Sequence, residues 1–161
     1  MGRWLRNMTV VVAVTVGLVG AGTGAYALQK WGTINAMDGN TRLGSAYGTA
    51  YFDDSTGDRW YFKSHYTDRR DNGNGVYTNT AWYFNGSYCY PAGEGSVGCT
   101  AGWYGDGATN TAVTSASRTG YSGKALKGTA ESIRGGIRVC QSDAFADTCS
   151  HRTFRGMSYR N

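Results

Sequence analysis

Large side chains alternate with polar ones along several short stretches of this chain, and this spacing constrains the fold more than any other feature. Residues 59–66 read RWYFKSHY, so every second residue from Trp60 onward falls on one face of an extended strand. Residues 76–84 (VYTNTAWYF) and 133–141 (IRGGIRVCQ) alternate in the same way. A period of two is that of a β-strand with one buried face. Because aromatic and β-branched residues also favour strands, we predict an all-β protein.

Clusters of glycine, asparagine, aspartate and serine divide the chain into about eight short strands. The strongest two-residue hairpin signal is Asn85-Gly86, so we predict that one strand ends at Phe84 and that the chain turns back there. We also predict a strand at residues 125–134. The remaining turns and loops are predicted at residues 54–57, 67–75, 91–98 and 105–107. The expected architecture is a small antiparallel β-sandwich or barrel.

The first 27 residues have the pattern of a secretory signal peptide. Arg3 and Arg6 supply the positive start, an apolar run of about 12 residues follows, and Ala25-Tyr26-Ala27 has the small residues that signal peptidase cleaves after. The apolar run is too short for a bilayer core, which takes roughly 20 residues, so we expect no membrane insertion. We predict a secreted, extracellular protein with three parts: the signal at residues 1–27, an extended N-terminal arm at residues 28–45 and a β domain at residues 46–161.

All four cysteines lie in the part predicted to be exported, which favours two disulfides. Three connectivities are possible. We predict Cys89–Cys99 and Cys140–Cys149, since each pair flanks a short segment rich in turn residues. No Cys-x2-Cys spacing is present, which argues against a zinc site.

The charge and the chemical groups of the chain favour binding over catalysis. Removing Arg3 and Arg6 lowers the formal net charge from +5 to +3, which argues against nucleic acid as a partner. The main enzymatic alternative is a small secreted ribonuclease, which would use a histidine, a carboxylate and an arginine. The residues of those types that we considered are His65 or His151, Glu131, and Arg134 or Arg138. Nothing in their spacing singles them out, so we predict no catalytic residues.

We also predict no cofactor and no metal. Two acidic loops, at residues 53–58 and 68–74, have oxygen ligands that calcium accepts. Neither has the EF-hand spacing, and the first is equally well explained as a hairpin turn.

Two groups of residues are the predicted partner-binding sites. The first is the N-terminal arm, where Trp31, Ile34 and Met37 would anchor an extracellular protein partner that adds a strand to the arm. The alternative is that the arm packs on its own domain as a first strand. The second group is Tyr61 and Tyr83, because adjacent aromatics on a strand must point both ways and some must be exposed.

The segment RGGIRVCQSDAFADTCS, at residues 134–150, carries a resemblance to small secreted proteins of Gram-positive actinobacteria. These have a signal ending in Ala-x-Ala and a β domain rich in glycine, threonine and tyrosine, with two disulfides. Within that group, the chain is similar in size and style to the adaptor subunit of secreted umbrella-shaped toxin particles. Lactococcin-972-like bacteriocins come second. The first resemblance implies an adaptor in an antibacterial complex, and the second implies a stand-alone toxin.

Overall fold

The computed structural model describes residues 28–53, 55 and 58–158, so the predicted signal peptide lies outside the described residues. The described residues form nine β-strands and no helix, which confirms the all-β prediction. The strands are β1 (Gln29–Asp38), β2 (Thr41–Asp53), β3 (Arg59–Asp68), β4 (Val76–Gly93), β5 (Ser96–Asn110), β6 (Ser117–Ala125), β7 (Ala130–Gln141), β8 (Thr148–Cys149) and β9 (Thr153–Ser158). A helix with the length and apolar character of a membrane span does not occur in this part of the chain.

The strands form two antiparallel sheets. The first, which we call sheet A, has the order β1-β2-β3-β6. The second, sheet B, has the order β5-β4-β7-β8, and β9 pairs with the same edge of β7 as β8. The chain passes between the sheets after β3, β5 and β6, so the two sheets pack face to face as a β-sandwich.

The core lies between the inner faces of the two sheets. Sheet A contributes Trp60, Phe62 and Tyr66 from alternate positions of β3, as the spacing predicts, and all three are at most 1% exposed. The Phe62 ring meets Trp82 of sheet B edge to face, with 5.7 Å between ring centroids. Each such buried side chain stabilises the fold by roughly 1.5–3 kcal/mol. Gly135 on β7 makes room for the Phe62 ring, because a Cβ at that position would overlap it.

The predicted N-terminal arm is part of the sandwich. Its residues form β1, which pairs with β2 through a hairpin, so the alternative that the arm packs on its own domain describes the structure. β2 runs through the predicted boundary between residues 45 and 46. The pairing shifts register after Trp31 and after Ala36. These two irregularities break the alternation, which is why the sequence shows no sustained period there.

The prediction of a hairpin at Asn85-Gly86 is wrong. β4 continues through both residues, and the turn lies at Glu94, which has positive φ and is flanked by two glycines with positive φ. Gly86 has a different role. A Cβ there would lie 2.6 Å from the carbonyl oxygen of Thr129, so glycine permits a close approach of backbone beside a β-bulge.

Two further predicted boundaries also differ from the structure. β5 continues past residues 105–107, where a bulge replaces the predicted strand end. The predicted strand at residues 125–134 is divided between β6 and β7 by the turn between them. Glycine in these places marks irregular pairing within a strand or close packing as well as turns.

Both predicted disulfides are present. Cys140–Cys149 joins β7 to β8, and Cys89–Cys99 joins directly paired residues of β4 and β5. Cys89–Cys99 lies where β4 and β5 extend beyond the rest of sheet B, because β7 pairs with β4 only as far as Gly86. An isolated two-stranded ribbon is marginally stable, so the disulfide holds this extension together.

Candidate protein-interaction site

β5 forms an open edge of sheet B. Among the described strands it pairs with β4 alone, and it is exposed along most of its length. Edge strands in soluble proteins usually carry lysine or proline, or are covered, because unpaired backbone groups can pair with another chain. Residues 96–105 (SVGCTAGWYG) contain no charged residue and no proline. The bulge at Asp106-Gly107 interrupts the edge only beyond this run, which we call the open run.

The direction of the backbone groups along the open run follows from the pairing. Cys89 and Cys99 are directly opposite, and their Cα atoms are 4.1 Å apart. This short separation is that of a non-hydrogen-bonded antiparallel pair, whose N–H and C=O groups point away from the partner strand. Since such pairs alternate, Ala101 and Trp103 are of the same kind. Their backbone donors and acceptors therefore point outward, to the open edge.

A cluster of aromatic side chains surrounds Arg134 on the outer face of sheet B, beside the open run. The guanidinium carbon of Arg134 lies 4.2 Å from the ring centroid of Trp103, 5.2 Å from that of Phe154 and 5.3 Å from that of Tyr83. We call these four residues the Arg134 cluster. Trp103 and Phe154 remain 43% and 44% exposed. A shallow groove of about 250 Å³ runs between Trp103 and β9. Cation–π contacts of this kind each stabilise by roughly 0.5–2 kcal/mol.

The strand register explains how the Arg134 cluster forms. Tyr83 of β4 is directly opposite Arg134 of β7, and Gly105 and Gly156 continue that row on either side. A Cβ at Gly156 would lie 2.7 Å from the Cβ of Arg134. The two glycines leave space above the row, and the rings of Trp103 and Phe154 reach over Arg134 from the neighbouring rows. The Arg134 Nε atom is buried and has no hydrogen-bond partner in the described part of the chain.

The same face carries two more arginines, which share one hydrogen-bond acceptor. Arg138 Nε and Arg152 Nη2 both donate to the side-chain oxygen of Asn79, at 3.2 and 2.9 Å. Neither arginine, nor Arg134, forms an ion pair with any residue that the structure describes. Burial, followed by the positive charge of Arg138, lowers the pKa of Arg152, although arginine stays protonated at neutral pH. The face therefore concentrates positive charge, which the nearby Asp147 carboxylate offsets in part at Arg138.

The far end of the open run is fixed by an ion-pair group. The Asp106 carboxylate accepts from the Nζ atoms of Lys124 and Lys127, each at 2.7 Å, and Lys127 also lies 5.1 Å from the Phe84 ring centroid. Burial alone would raise the pKa of Asp106, but the hydrogen bonds from the two lysines outweigh it and hold the pKa below its usual value. These contacts tie the edge strand to the end of β6 and to the turn that follows it.

The structure brings one of the five predicted partner-binding residues to this site. Tyr83 belongs to the Arg134 cluster, whereas Tyr61 lies on the outer face of sheet A. Trp31 is 2% exposed in the core, Ile34 is half-buried on β1, and Met37 is 42% exposed near the end of β1.

The backbone of β1 is also partly covered, by contacts with β9. Gln29 Nε2 donates to the carbonyl of Gly156 at 2.8 Å, and Arg155 Nε donates to the carbonyl of Lys30 at 3.1 Å. These bonds occupy backbone and side-chain groups at the start of β1. Trp31 is likewise held in the core, where a partner cannot reach it in this conformation.

The residues considered for a ribonuclease do not converge. His65 lies on the outer face of sheet A, stacked on Tyr47, while Arg134 and Arg138 lie on the outer face of sheet B. Glu131 and His151 are near opposite ends of β7, roughly 20 Å or more apart, since a strand rises 3.2–3.4 Å per residue. No group of three or more metal-ligating side chains occurs among the described residues.

By its fold and this site, the chain belongs to the class of small, disulfide-linked antiparallel β-sandwiches. Its edge strand β5 carries no protecting charge or proline along the open run and lies beside a cluster of aromatic and arginine side chains. No protein-family profile matches the sequence, and no curated protein matches it.

Proposed function

We propose that this chain is a secreted, non-enzymatic binding protein that takes an extended segment of an extracellular protein as an added strand on β5. The observation that carries the proposal is the open run, ten residues of edge strand that contain no charged residue and no proline and in which alternate residues direct their backbone groups outward. Two disulfides are compatible with an extracellular location.

The Arg134 cluster supplies the side-chain part of the interaction. Tryptophan, tyrosine and arginine are the residue types that contribute most to protein interfaces, and Trp103 lies on the open run itself. A strand paired with the open run would extend sheet B and bring its own side chains next to Trp103. The positive charge of Arg134, Arg138 and Arg152 favours a partner segment with acidic side chains on the outer face.

An adaptor role in an extracellular antibacterial complex is the more specific form of this proposal. An adaptor needs two surfaces that can be occupied together, and the outer faces of the two sheets point in opposite directions. The sequence predicts that such an adaptor adds a strand at its N-terminal segment. We propose that the strand is added at β5 instead. The resemblance to secreted toxin-particle adaptors supports this form of the proposal.

Replacing Trp103 with alanine is expected to reduce recovery of the partner by about tenfold or more, because it removes the central aromatic contact beside the edge. The secreted protein would be immobilised, incubated with culture supernatant of the producing cells, and the bound proteins quantified by mass spectrometry. Phe145→Ala is the matched control, since Phe145 is 99% exposed on the loop between β7 and β8, away from the open run, and its loss should leave recovery unchanged.

Equal recovery with wild type and Trp103→Ala would remove the assignment to this face. If recovery falls when Met37 is replaced and not when Trp103 is replaced, the partner binds at β1.

A further inference from the structure

The outer face of sheet A holds a second surface, formed by tyrosines from three strands. A groove of about 650 Å³ is open there, lined on β2 by Tyr47, Thr49 and Tyr51 and on the neighbouring strands by Lys63 and Tyr121. We call it the tyrosine groove. Its volume is in the range of sites that hold small molecules. It lies on the opposite side of the sandwich from the Arg134 cluster.

The strand register builds the groove in rows across the sheet. The central row places the short side chain of Thr49 between Lys30 and Lys63, with Tyr121 at the far end. On one side of it lies the pair Tyr47–His65 and on the other the pair Tyr51–Tyr61. These flanking rows are four residues apart along β2, roughly 13 Å, so two aromatic walls enclose a polar floor.

Ring contacts hold the walls in place. Tyr47 and His65 stack with 5.2 Å between centroids, and Tyr51 and Tyr61 with 5.6 Å. Tyr121 carries the Lys63 Nζ atom 5.8 Å from its centroid and is 54% exposed, as is Tyr47. The surface therefore presents preordered rings to solvent, at a low entropic cost of binding.

The side chains that line the groove include basic residues and no acidic residue. Its lining includes Lys30, Lys63 and His65 but no aspartate or glutamate, and the nearest acidic group on β2 is Asp53, beyond Tyr51. The core residue Trp31 borders the groove from below, with its Nε1 atom buried. Aromatic walls, lysine amino groups and tyrosine hydroxyls are together suited to a ligand with apolar C–H faces, hydroxyls and negative charge.

We propose that the tyrosine groove binds an oligosaccharide that carries carboxylate groups. The flat C–H face of a sugar ring packs on the electron-rich face of an aromatic ring, as Tyr47 and Tyr121 are placed to allow. Lys30 and Lys63 pair with the carboxylates, and this charge complementarity selects an acidic sugar over a neutral one. The groove is independent of the open run, so the two binding activities are separable by mutation.

Isothermal titration of the secreted protein with three acidic sugars tests this proposal. The probes are trigalacturonic acid, sialyllactose and the N-acetylglucosamine–N-acetylmuramic acid disaccharide. The methyl ester of trigalacturonic acid has the same rings without charge, and citrate has charge without rings. We expect at least one acidic sugar to bind about tenfold more tightly than the ester or citrate.

Three single substitutions test whether the acidic sugar binds in the tyrosine groove. Tyr121→Ala should weaken binding of that acidic sugar by about tenfold, and Lys63→Met, which removes the charge, should abolish the preference over a neutral counterpart. Tyr90→Ala is the matched control, because Tyr90 is 47% exposed on the β4–β5 extension and should have no effect. Three results would overturn the proposal: no binding by any of the three acidic sugars, ester binding as tight as that of the acid, or binding unchanged by Tyr121→Ala.

Discussion

Replacing Phe62 with alanine is expected to lower the free energy of unfolding by about 3–5 kcal/mol. The Phe62 ring is fully buried and links the two sheets by its contact with Trp82. Its removal leaves a cavity that the neighbouring strands cannot close without losing their pairing. Urea unfolding followed by tryptophan fluorescence measures the change.

Gly135→Ala shows whether the Phe62 ring occupies the space that the structure assigns to it. In the wild-type background the added methyl group overlaps that ring, so we expect a loss of about 1–3 kcal/mol. In the Phe62→Ala background the methyl group enters the cavity, and we expect the cost to fall to about zero. Costs that simply add across the two backgrounds would show that β3 and β7 do not pack in this way.

Replacing Ala101 with proline is expected to weaken partner binding by about 100-fold while the fold is retained. The backbone N–H of Ala101 points to the open edge, so proline removes a donor needed by an added strand but leaves the bonds to β4 in place. Titration of the variant with the co-purified partner measures the affinity.

Two further variants separate the edge from the fold. Ala101→Ser keeps the N–H group and should bind as wild type does. Thr100→Pro removes a bond to β4 opposite Tyr88, so it should destabilise the extension held by Cys89–Cys99. Binding by Ala101→Pro at wild-type affinity would mean that the partner does not add a strand to β5.

Much of the fold could be predicted from the sequence because the core positions of the central strands follow simple alternation. β3 has a buried residue at every second position from Trp60 to Tyr66, and β7 buries its isoleucines in the same way. The disulfides were predictable because each links cysteines separated by a short turn-rich segment. The irregular strands were not, since the bulges in β1 change which residues face inward.

The candidate site is a product of topology, which the sequence does not show directly. Both ends of the open run were predicted as loops, at residues 91–98 and 105–107. Their significance depends on β5 lying at the edge of sheet B, with β4 as its only partner among the described strands. The aromatic composition predicted exposed rings and named Tyr83, which lies in the Arg134 cluster. Trp103 and Phe154 join Tyr83 only through the register of four strands.

Hydrogen–deuterium exchange of individual amides, with and without the co-purified partner, tests strand addition to β5 most directly. In the free protein, the amides of Val97, Ala101 and Trp103 should exchange fast, while those of Thr100 and Gly102, bonded to β4, exchange slowly. Partner binding should slow the first three by about tenfold or more. If those three amides exchange at the same rate in the complex as in the free protein, the partner is bound elsewhere and the account is contradicted.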